Sequence, residues 1–339
     1  MQKITVMIKI LKDKLLICAV LLTAAGAASC SKEAPEAVSA KKVPIELQGM
    51  FGPEKEPPQP GLKAPADGGP VAGDDENTPE LTLWFARADE TSSGIWGAYA
   101  SGQLYATRAS AAGNIPTALV FPDPKPCYLL GGLKTKLTGW YPGGGGSGGV
   151  KGYWDGTAVS WKMDGSQDIM TAPAQEGNPA VGMPALVFTH RTAQLRFYVY
   201  AETAATAAIW GDITGIRVMN QPDVCTYTPA SGDDLGTVAF SGSATFSALA
   251  ATVTPTVTAD KSTVAQTGNT VLIAPQADHY VLTLEVDSEK YGLVTVTLTG
   301  RTYDQAGTYN IYLKLQAVNI SPAVDISEWK PIVEKDVEL

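Results

Sequence analysis

Residues 279–286 read His279-Tyr280-Val281-Leu282-Thr283-Leu284-Glu285-Val286, and this stretch decides the fold class. Its even-numbered positions carry aromatic or aliphatic side chains, whereas Thr283 and Glu285 between them are polar. Successive side chains of a β-strand point to opposite faces, so a period of two predicts a strand with one buried face. The chain also contains 34 Gly and 23 Pro, which is typical of strands joined by turns.

Similar β-branched and aromatic segments recur through the chain after residue 80 and predict an all-β protein. They cover residues 80–86, 118–121, 133–140, 158–163, 185–200, 213–219, 236–240, 269–274, 293–299 and 309–320. Period two with short turns favours antiparallel β-sandwiches. The Ala-rich segment 201–208 is the one good helix candidate. It marks the predicted boundary between an N-terminal sandwich, residues 80–203, and a C-terminal sandwich, residues 204–339.

The N-terminus carries the pattern of an export signal. Lysines precede an apolar run, residues 15–28, that is shorter than the roughly 20 residues of a membrane-spanning helix. The run ends in Ala27-Ala28-Ser29-Cys30, which resembles a bacterial lipoprotein cleavage box, although Leu is usual at the position of Ala27. This predicts a signal peptide over residues 1–29 and lipidation of Cys30. The bulky Ile17 argues against Cys18, and an ordinary secreted protein cut near Ser29 is the alternative.

The mature chain is expected to be acidic and tethered to a membrane. Loss of residues 1–29 removes four lysines and one aspartate, so the net charge falls from −9 to −12. This charge argues against a nucleic-acid-binding function. Residues 30–79, with nine prolines after residue 30, are interpreted as an extended tether or propeptide. Within it, Val43 to Met50 is the one segment that can order, as an edge strand.

Residues with catalytic or metal-binding potential are scattered. His190 and His279 are the two histidines, neither has metal-ligand spacing, and Asp164 and Asp168 read as turn residues. The Gly-rich segment 143–149 lacks the Lys-Ser/Thr of a phosphate loop and reads as a hairpin tip. We therefore expect no enzyme activity, no metal and no cofactor.

Two cysteines, Cys127 and Cys225, remain in the body of the chain. An exported setting permits a disulfide between them. They fall in different predicted domains, however, and disulfide geometry is strict, so two reduced thiols are the alternative.

Four stretches resemble the fimbrillin family of Bacteroidales surface pilins. They are Leu137-Thr138-Gly139-Trp140-Tyr141-Pro142, Asp168-Ile169-Met170-Thr171-Ala172, the strand Leu186 to Leu195 with its Phe-x-His motif, and Gly307 to Leu313 followed by Ile320, Ile326 and Trp329. Each motif is degenerate, and their order carries the resemblance. It covers about residues 80–339, and the lipoprotein signal agrees with it.

The resemblance implies two tandem transthyretin-like sandwiches, each with seven strands, in a lipid-anchored protein exposed on the outer membrane as part of a fimbrium. It also implies that an Arg-specific protease removes the lipidated N-terminal piece with its first strand. A strand from another pilin subunit then fills the groove, and some members keep the lipid as anchors or tips. Arg87 and Arg108, each before a small residue, are the candidate cleavage sites, and Arg108 is favoured for its loop-like flanks.

The sequence allows two interpretations of the C-terminal tail and two functions. The C-terminal tail is a candidate donor through Ile326, Trp329, Ile332, Val333 and Val337, or it simply closes the second domain. The alternative function is a glycan-binding surface lipoprotein of a polysaccharide-uptake system. Its candidate stacking platform is the group Trp96, Trp140, Trp154 and Trp161, whose members can also be core residues.

Overall fold

The computed structural model describes residues 42–51, 80–110, 115–144, 151–166, 168–230 and 236–327. The strands numbered first in chain order are β1 (Leu47–Phe51), β2 (Leu81–Ser92), β3 (Ile95–Trp96), β4 (Leu104–Arg108), β5 (Thr117–Val120), β6 (Thr135–Tyr141), β7 (Tyr153–Trp154), β8 (Val159–Lys162), β9 (Met170–Gly177) and β10 (Leu186–His190). The all-β prediction is confirmed.

The remaining elements follow from residue 193. They are β11 (Ala193–Ala201), helix α1 (Ala204–Trp210), β12 (Ile213–Gln221), β13 (Val224–Thr228), β14 (Thr237–Ser241), β15 (Ala244–Ser247), β16 (Thr256–Val257), β17 (Val271–Ile273), β18 (Gln276–Ser288), β19 (Gly292–Tyr303), β20 (Thr308–Leu315) and β21 (Ile320–Ser327). No helix in the described ranges is long and apolar enough to cross a membrane.

The stretch 279–286 lies in β18, and its alternation has the predicted consequence. Leu282, Leu284 and Val286 are fully buried, whereas Thr283 and Glu285 are only partly covered. Strand β18 forms a long antiparallel hairpin with β19 and pairs on its other edge with β12. The period of two therefore places one face of this hairpin on the core.

Helix α1 begins three residues later than the sequence predicts, because Thr203 caps it. The Thr203 side chain accepts a hydrogen bond from the Thr206 amide, which satisfies one of the free N–H groups of the first turn. Trp210 ends the helix, is fully buried and donates its indole N–H to the carbonyl of Gln316 at 2.7 Å. The helix thus docks on the chain that follows β20.

Seven strands of the first sheet form a closed ring of pairings. Their order is β2-β4-β5-β1-β10-β9-β6, and β6 pairs again with β2, while β3 extends β2 outside the ring. A buried cluster fills the ring. Its members are Ile45, Leu47, Phe51, Leu81, Leu83, Phe85, Ala106, Leu119, Phe121, Tyr128, Leu137, Met170, Ala172, Leu186 and Phe188.

Three smaller sheets make up the rest of the described chain. One has the order β14-β13-β8-β7, a second has the order β15-β12-β18-β19, and the third has the order β16-β11-β20-β21 with β17 also on β11. Strands β11 and β20 run parallel from Gln194 opposite Thr308 to Ala201 opposite Leu315. The pairs β1–β10 and β11–β16 are parallel as well, so antiparallel pairing is the rule with three exceptions.

Several local predictions differ from the structure. The segment 43–50 was expected at a sheet edge, which is wrong, because β1 pairs on both sides with β5 and β10. The long strand predicted over residues 185–200 is broken at Arg191 and Thr192, and that over 309–320 ends at Leu315. Seven of the described strands lie outside the predicted segments: β3, β4, β7, β9, β13, β15 and β16.

The two-domain division and its transthyretin-like detail stay predictions. All described residues belong to one compact unit, residues 42–339. Strand β13, from the C-terminal side of the predicted boundary at 203, pairs with β8 from the N-terminal side, with Cys225 opposite Trp161. One sheet therefore combines strands from both predicted domains.

Candidate functional site: the seat of strand β1

Strand β1 completes the ring between β5 and β10. Gly49 and Phe51 lie opposite Leu186 and Phe188 of β10 in parallel register. On the other edge, Leu47 lies opposite Leu119 of β5 in antiparallel register. Both edges of this short strand are therefore used for pairing.

The residues before β1 continue the attachment along another segment. The Ile45 amide donates to the carbonyl of Pro126 at 2.8 Å, and the Tyr128 amide donates to the carbonyl of Val43 at 2.9 Å. The whole stretch 43–51 is consequently held by main-chain hydrogen bonds, which are made by any extended segment regardless of its side chains.

Alternate side chains of this stretch enter the core of the ring. Ile45, Leu47 and Phe51 are at most 3% exposed, and the Phe51 ring lies 6.0 Å from the ring of Phe188. Full burial of side chains of this size contributes about 1.5–3 kcal/mol each. The site that holds β1 between β5 and β10, which we call the seat of β1, thus has two parts. One is a ladder of main-chain pairs, and the other is a row of apolar pockets.

Gly49 faces inward between Leu47 and Phe51, at a place with little room for a side chain. A Cβ atom built there would lie 3.1 and 3.2 Å from the two methyl carbons of Leu119. Leu119 is itself buried at 5% exposure and belongs to the cluster in the ring. Leu119 therefore occupies the space that a larger residue at position 49 would need.

Arg108, at the end of β4, contacts two residues of β1, Gly49 and Phe51. Its side chain is fully buried, its Nε–H donates to the carbonyl of Gly49 at 3.4 Å, and its Cζ lies 4.6 Å from the centre of the Phe51 ring. Its Nη2 also donates to the carbonyl of Ile115 at 3.3 Å and to Thr117 Oγ1 at 3.2 Å. Burial lowers the pKa of the Arg108 guanidinium.

The sequence interpretation of the two arginines needs correction. Arg108 was expected in a loop, which is wrong: it belongs to a paired strand and is 0% exposed, since its cation is used to hold β1. Arg87 lies inside β2 opposite Leu137, and its Nε–H donates to Asp89 Oδ1 at 2.9 Å. Cleavage at either position stays a prediction, and each position is embedded in a β-ladder.

The other predicted site residues are distributed as follows. Cys30, Trp329, Ile332, Val333 and Val337 lie outside the described residues. Ile326 pairs with Tyr309 near the end of β21 and is 63% exposed. The possible disulfide between Cys127 and Cys225 is not formed, and both thiols are free, as in the alternative interpretation. Cys225 is buried in β13, whereas Cys127 forms an isolated bridge with Pro44, next to the segment that leads into β1.

The candidate glycan platform does not form. Trp140, Trp154 and Trp161 are at most 4% exposed, and the rings of Trp140 and Trp154 stack on each other at 5.4 Å. Trp96 is half-buried, with the ammonium of Lys136 4.5 Å from its ring centre. These residues stabilise the interior and the hairpin that contains β3.

Two of the candidate catalytic residues, His190 and Asp168, form a buried contact with each other. His190 Nδ1 lies 2.6 Å from Asp168 Oδ2, and both side chains are nearly inaccessible. This agrees with the interpretation of His190 as a strand histidine that contacts a neighbouring loop. Within the described ranges, no group of three or more His, Cys, Asp and Glu residues has the arrangement of a metal site.

The sequence interpretation missed the seat itself. The alternation Ile45-x-Leu47-x-Gly49-x-Phe51 is visible in the sequence, but it is short and lies in a Pro-rich region. Its pairing with Leu119 and Phe188 joins residues that are far apart in the chain, which no local pattern can indicate.

Comparison with known proteins agrees with this architecture. A family model described as fimbrillin-like matches residues 83–329. A proposed cell adhesion protein from Bacteroides uniformis superposes with a TM-score of 0.54 at 15% identity, over 86% of this chain and 99% of that one. A second one from Bacteroides ovatus gives 0.51 at 15% identity, over 87% and 99%. At this low sequence identity, the two superpositions show a shared fold and nothing more. No curated protein matches the sequence.

Proposed function

The chain belongs to the fimbrillin-like family, and from this membership we propose that it is a structural subunit of a surface fimbrium with a role in adhesion. It assembles with other pilin subunits and has no enzymatic role. Export as a lipoprotein with a lipid on Cys30 places it at the outer membrane. The experiment below reports that lipid directly.

The position of β1 is the observation that carries a strand-exchange mechanism. Strand β1 is one of the seven strands that close the ring, and it is joined to β2 through residues 52–80. Its departure would expose unpaired N–H and C=O groups on β5 and β10 together with the pockets of Ile45, Leu47 and Phe51. Such an edge favours addition of a strand from another chain.

The connection between β1 and β2 is the suitable place for the cut that would trigger exchange. A cut there releases β1 with the N-terminal piece and leaves β2 intact. Between Cys30 and Arg87 the sequence contains no arginine, and the basic residues of the connection are Lys55 and Lys63. We therefore assign the cut to a lysine-directed, trypsin-like protease rather than an Arg-specific one.

Cleavage at the arginines would require a larger disturbance of the fold. Arg87 is paired within β2, and a cut after Arg108 would remove β1, β2 and β4 together. Those strands contribute Leu81, Leu83, Phe85 and Ala106 to the core of the ring. A protease would gain access to either peptide bond only after local unfolding of the ladder.

The N-terminus of the protein on the cell surface tests this proposal. Intact mass and N-terminal sequencing are expected to find chains that start after Lys55 or Lys63. A start after Arg87 or Arg108 would move the cut to the arginines. Lipidated Cys30 alone would instead identify an anchor that keeps β1.

A matched variant connects the cut to assembly. Mixed with the other pilin subunits and treated with trypsin-like protease, the variant Lys55→Ala with Lys63→Ala is expected to stay monomeric under conditions in which the parent chain enters oligomers. Equal assembly by the variant would contradict cleavage in this connection.

A further inference from the structure

The seat of β1 limits the size of the residue at position 49, both in β1 itself and in a strand that replaces it. Leu119 fills the pocket that faces Gly49, at 3.1 and 3.2 Å from an added Cβ. A methyl group fits if the ends of the Leu119 side chain shift slightly, whereas a β-branched or long side chain also needs space beyond the Cβ. Overpacking of this kind in a closed core is destabilising.

Flanking positions fix the register of that small residue. Two residues earlier, Leu47 is buried opposite Leu119, and two residues later, Phe51 fills the space between Phe188 and the Arg108 guanidinium. A shift of one position would turn these side chains to the outer face. The seat consequently selects a strand with the order apolar, x, small, x, aromatic.

Residues 320–339 do not offer this order. The last glycine of the sequence is Gly307, and residues 330–339 read KPIVEKDVEL, without glycine, alanine or an aromatic residue. In residues 320–329, Ser327 is two positions before Trp329, but Asp325 would then occupy the buried position of Leu47. Reversing the direction of the tail produces no better match.

From this geometry we infer that the strand replacing β1 belongs to a different protein and carries glycine or alanine against the Leu119 side chain, two residues before an aromatic side chain. The inference rests on the strand exchange proposed above and names its partner. A second copy has this order in its own β1, which lies in its own ring. The order recurs at Ile95-x-Gly97-x-Tyr99, Leu137-x-Gly139-x-Tyr141 and Val150-x-Gly152-x-Trp154, and these segments include β3, β6 and β7 of its own sheets. The occupant is therefore a strand of a different pilin subunit that has this order, and residues 320–339 have another role.

Peptide exchange into the nicked protein tests the selection. A recognition sequence for a specific protease is inserted after Lys63 in the mature chain, which is then cut and mixed with fluorescent peptides. The peptides are residues 42–51, the same peptide with Gly49→Ala or Gly49→Val, and residues 328–339. Uptake is measured by size-exclusion chromatography with fluorescence detection.

The native peptide is expected to enter, the Gly49→Ala peptide to follow it closely, and the Gly49→Val peptide to enter about tenfold less, because overpacking opposes it. The tail peptide should stay outside. Leu119→Ala in the protein should restore uptake of the Gly49→Val peptide, which a nonspecific loss of binding would not do. Equal uptake of the tail peptide, or of the Gly49→Val peptide by the parent protein, would overturn the inference.

Failure of every peptide, including the native one, would refute strand exchange itself. In that case, the limit on the size of residue 49 is tested by thermal unfolding of the uncut chain. Gly49→Val is expected to lower the midpoint, and Leu119→Ala added to it to recover part of the loss. If the changes in stability caused by Gly49→Val and Leu119→Ala simply add in the double variant, Leu119 does not limit the size of the residue at position 49.

Discussion

The Cζ of Arg108 lies 4.6 Å from the centre of the Phe51 ring, so a fully buried cation rests against the strand that closes the first sheet. The same guanidinium donates to the carbonyl of Gly49 and to Thr117 Oγ1. It therefore connects β4, where it originates, with β1 and with β5. One side chain therefore joins three strands of the ring, and one of them, β5, pairs directly with β1.

Arg108→Ala is expected to lower the free energy of unfolding by about 2–3 kcal/mol, because hydrogen bonds from a charged donor are lost and their acceptors stay buried. It should also speed hydrogen exchange of the β1 amides more than that of β18. Urea unfolding and hydrogen-exchange mass spectrometry measure the two effects.

Arg87→Ala is the matched control for that variant. Arg87 pairs with Asp89 near the surface, with side-chain exposures of 20% and 33%. Removal of such a pair costs about 0–1 kcal/mol. Equal effects of the two arginine variants on β1 exchange would show that Arg108 does not hold this strand.

Phe51→Ala is expected to destabilise the protein by about 3–5 kcal/mol, since a large side chain is removed from a closed core and a cavity remains. Phe51 is fully buried against Phe188. Chemical denaturation measures the loss. Gln48→Ala, on the outer face of the same strand, should change stability by no more than about 0.5 kcal/mol. A small effect at Phe51 would indicate that β1 contributes little to the ring.

Glu90 makes part of the stability depend on pH. Its carboxylate accepts hydrogen bonds from the amides of Lys134 at 2.7 Å and Gly94 at 2.9 Å, and these bonds lower its pKa from the ordinary value of 4.5. A carboxyl group whose pKa is lower in the folded state stabilises the protein above 4.5. That contribution is lost as the pH falls through the folded pKa.

Glu90→Gln should therefore lower the thermal midpoint most at neutral pH, and the difference from the parent should shrink as the pH falls below 4.5. Thermal unfolding at a series of pH values measures this. Glu46→Gln, at an exposed position, serves as the control. A difference that does not change with pH would mean that the amide bonds to Glu90 do not depend on its charge.

Local patterns predicted most of the longer strands but not which strands pair with each other. The alternation in 279–286 was sufficient to place Leu282 and Leu284 in the core, because burial of one face is a property of the strand alone. The interior position of β1 depends on Leu119 and Leu186, which lie far along the chain. No period in residues 43–51 carries that information.

Arg108 illustrates the same limit for the site. Its small neighbours Ala109 and Ser110 are typical of a loop, and they do follow the end of β4. The side chain nevertheless turns inward, because Phe51 and the Gly49 carbonyl lie within its reach once β1 is paired. The predicted cleavage site is thus a contact that only the assembled ring creates.

A covalent lock on β1 separates cleavage from exchange. Gln48 and Ala118 lie directly opposite each other in β1 and β5, and both are exposed on the outer face. Directly opposite residues of an antiparallel pair bring their Cβ atoms to about 4.5–5.5 Å, close to the distance that a disulfide needs. Gln48→Cys with Ala118→Cys, in a Cys127→Ser background, should form this disulfide. When it is oxidised, cut between β1 and β2 and mixed with the other pilin subunits, the variant is expected to stay monomeric, and reduction should restore assembly to the level of the Cys127→Ser parent. Assembly of the oxidised, cut variant would show that β1 does not have to leave its seat, and strand exchange at this groove would be ruled out.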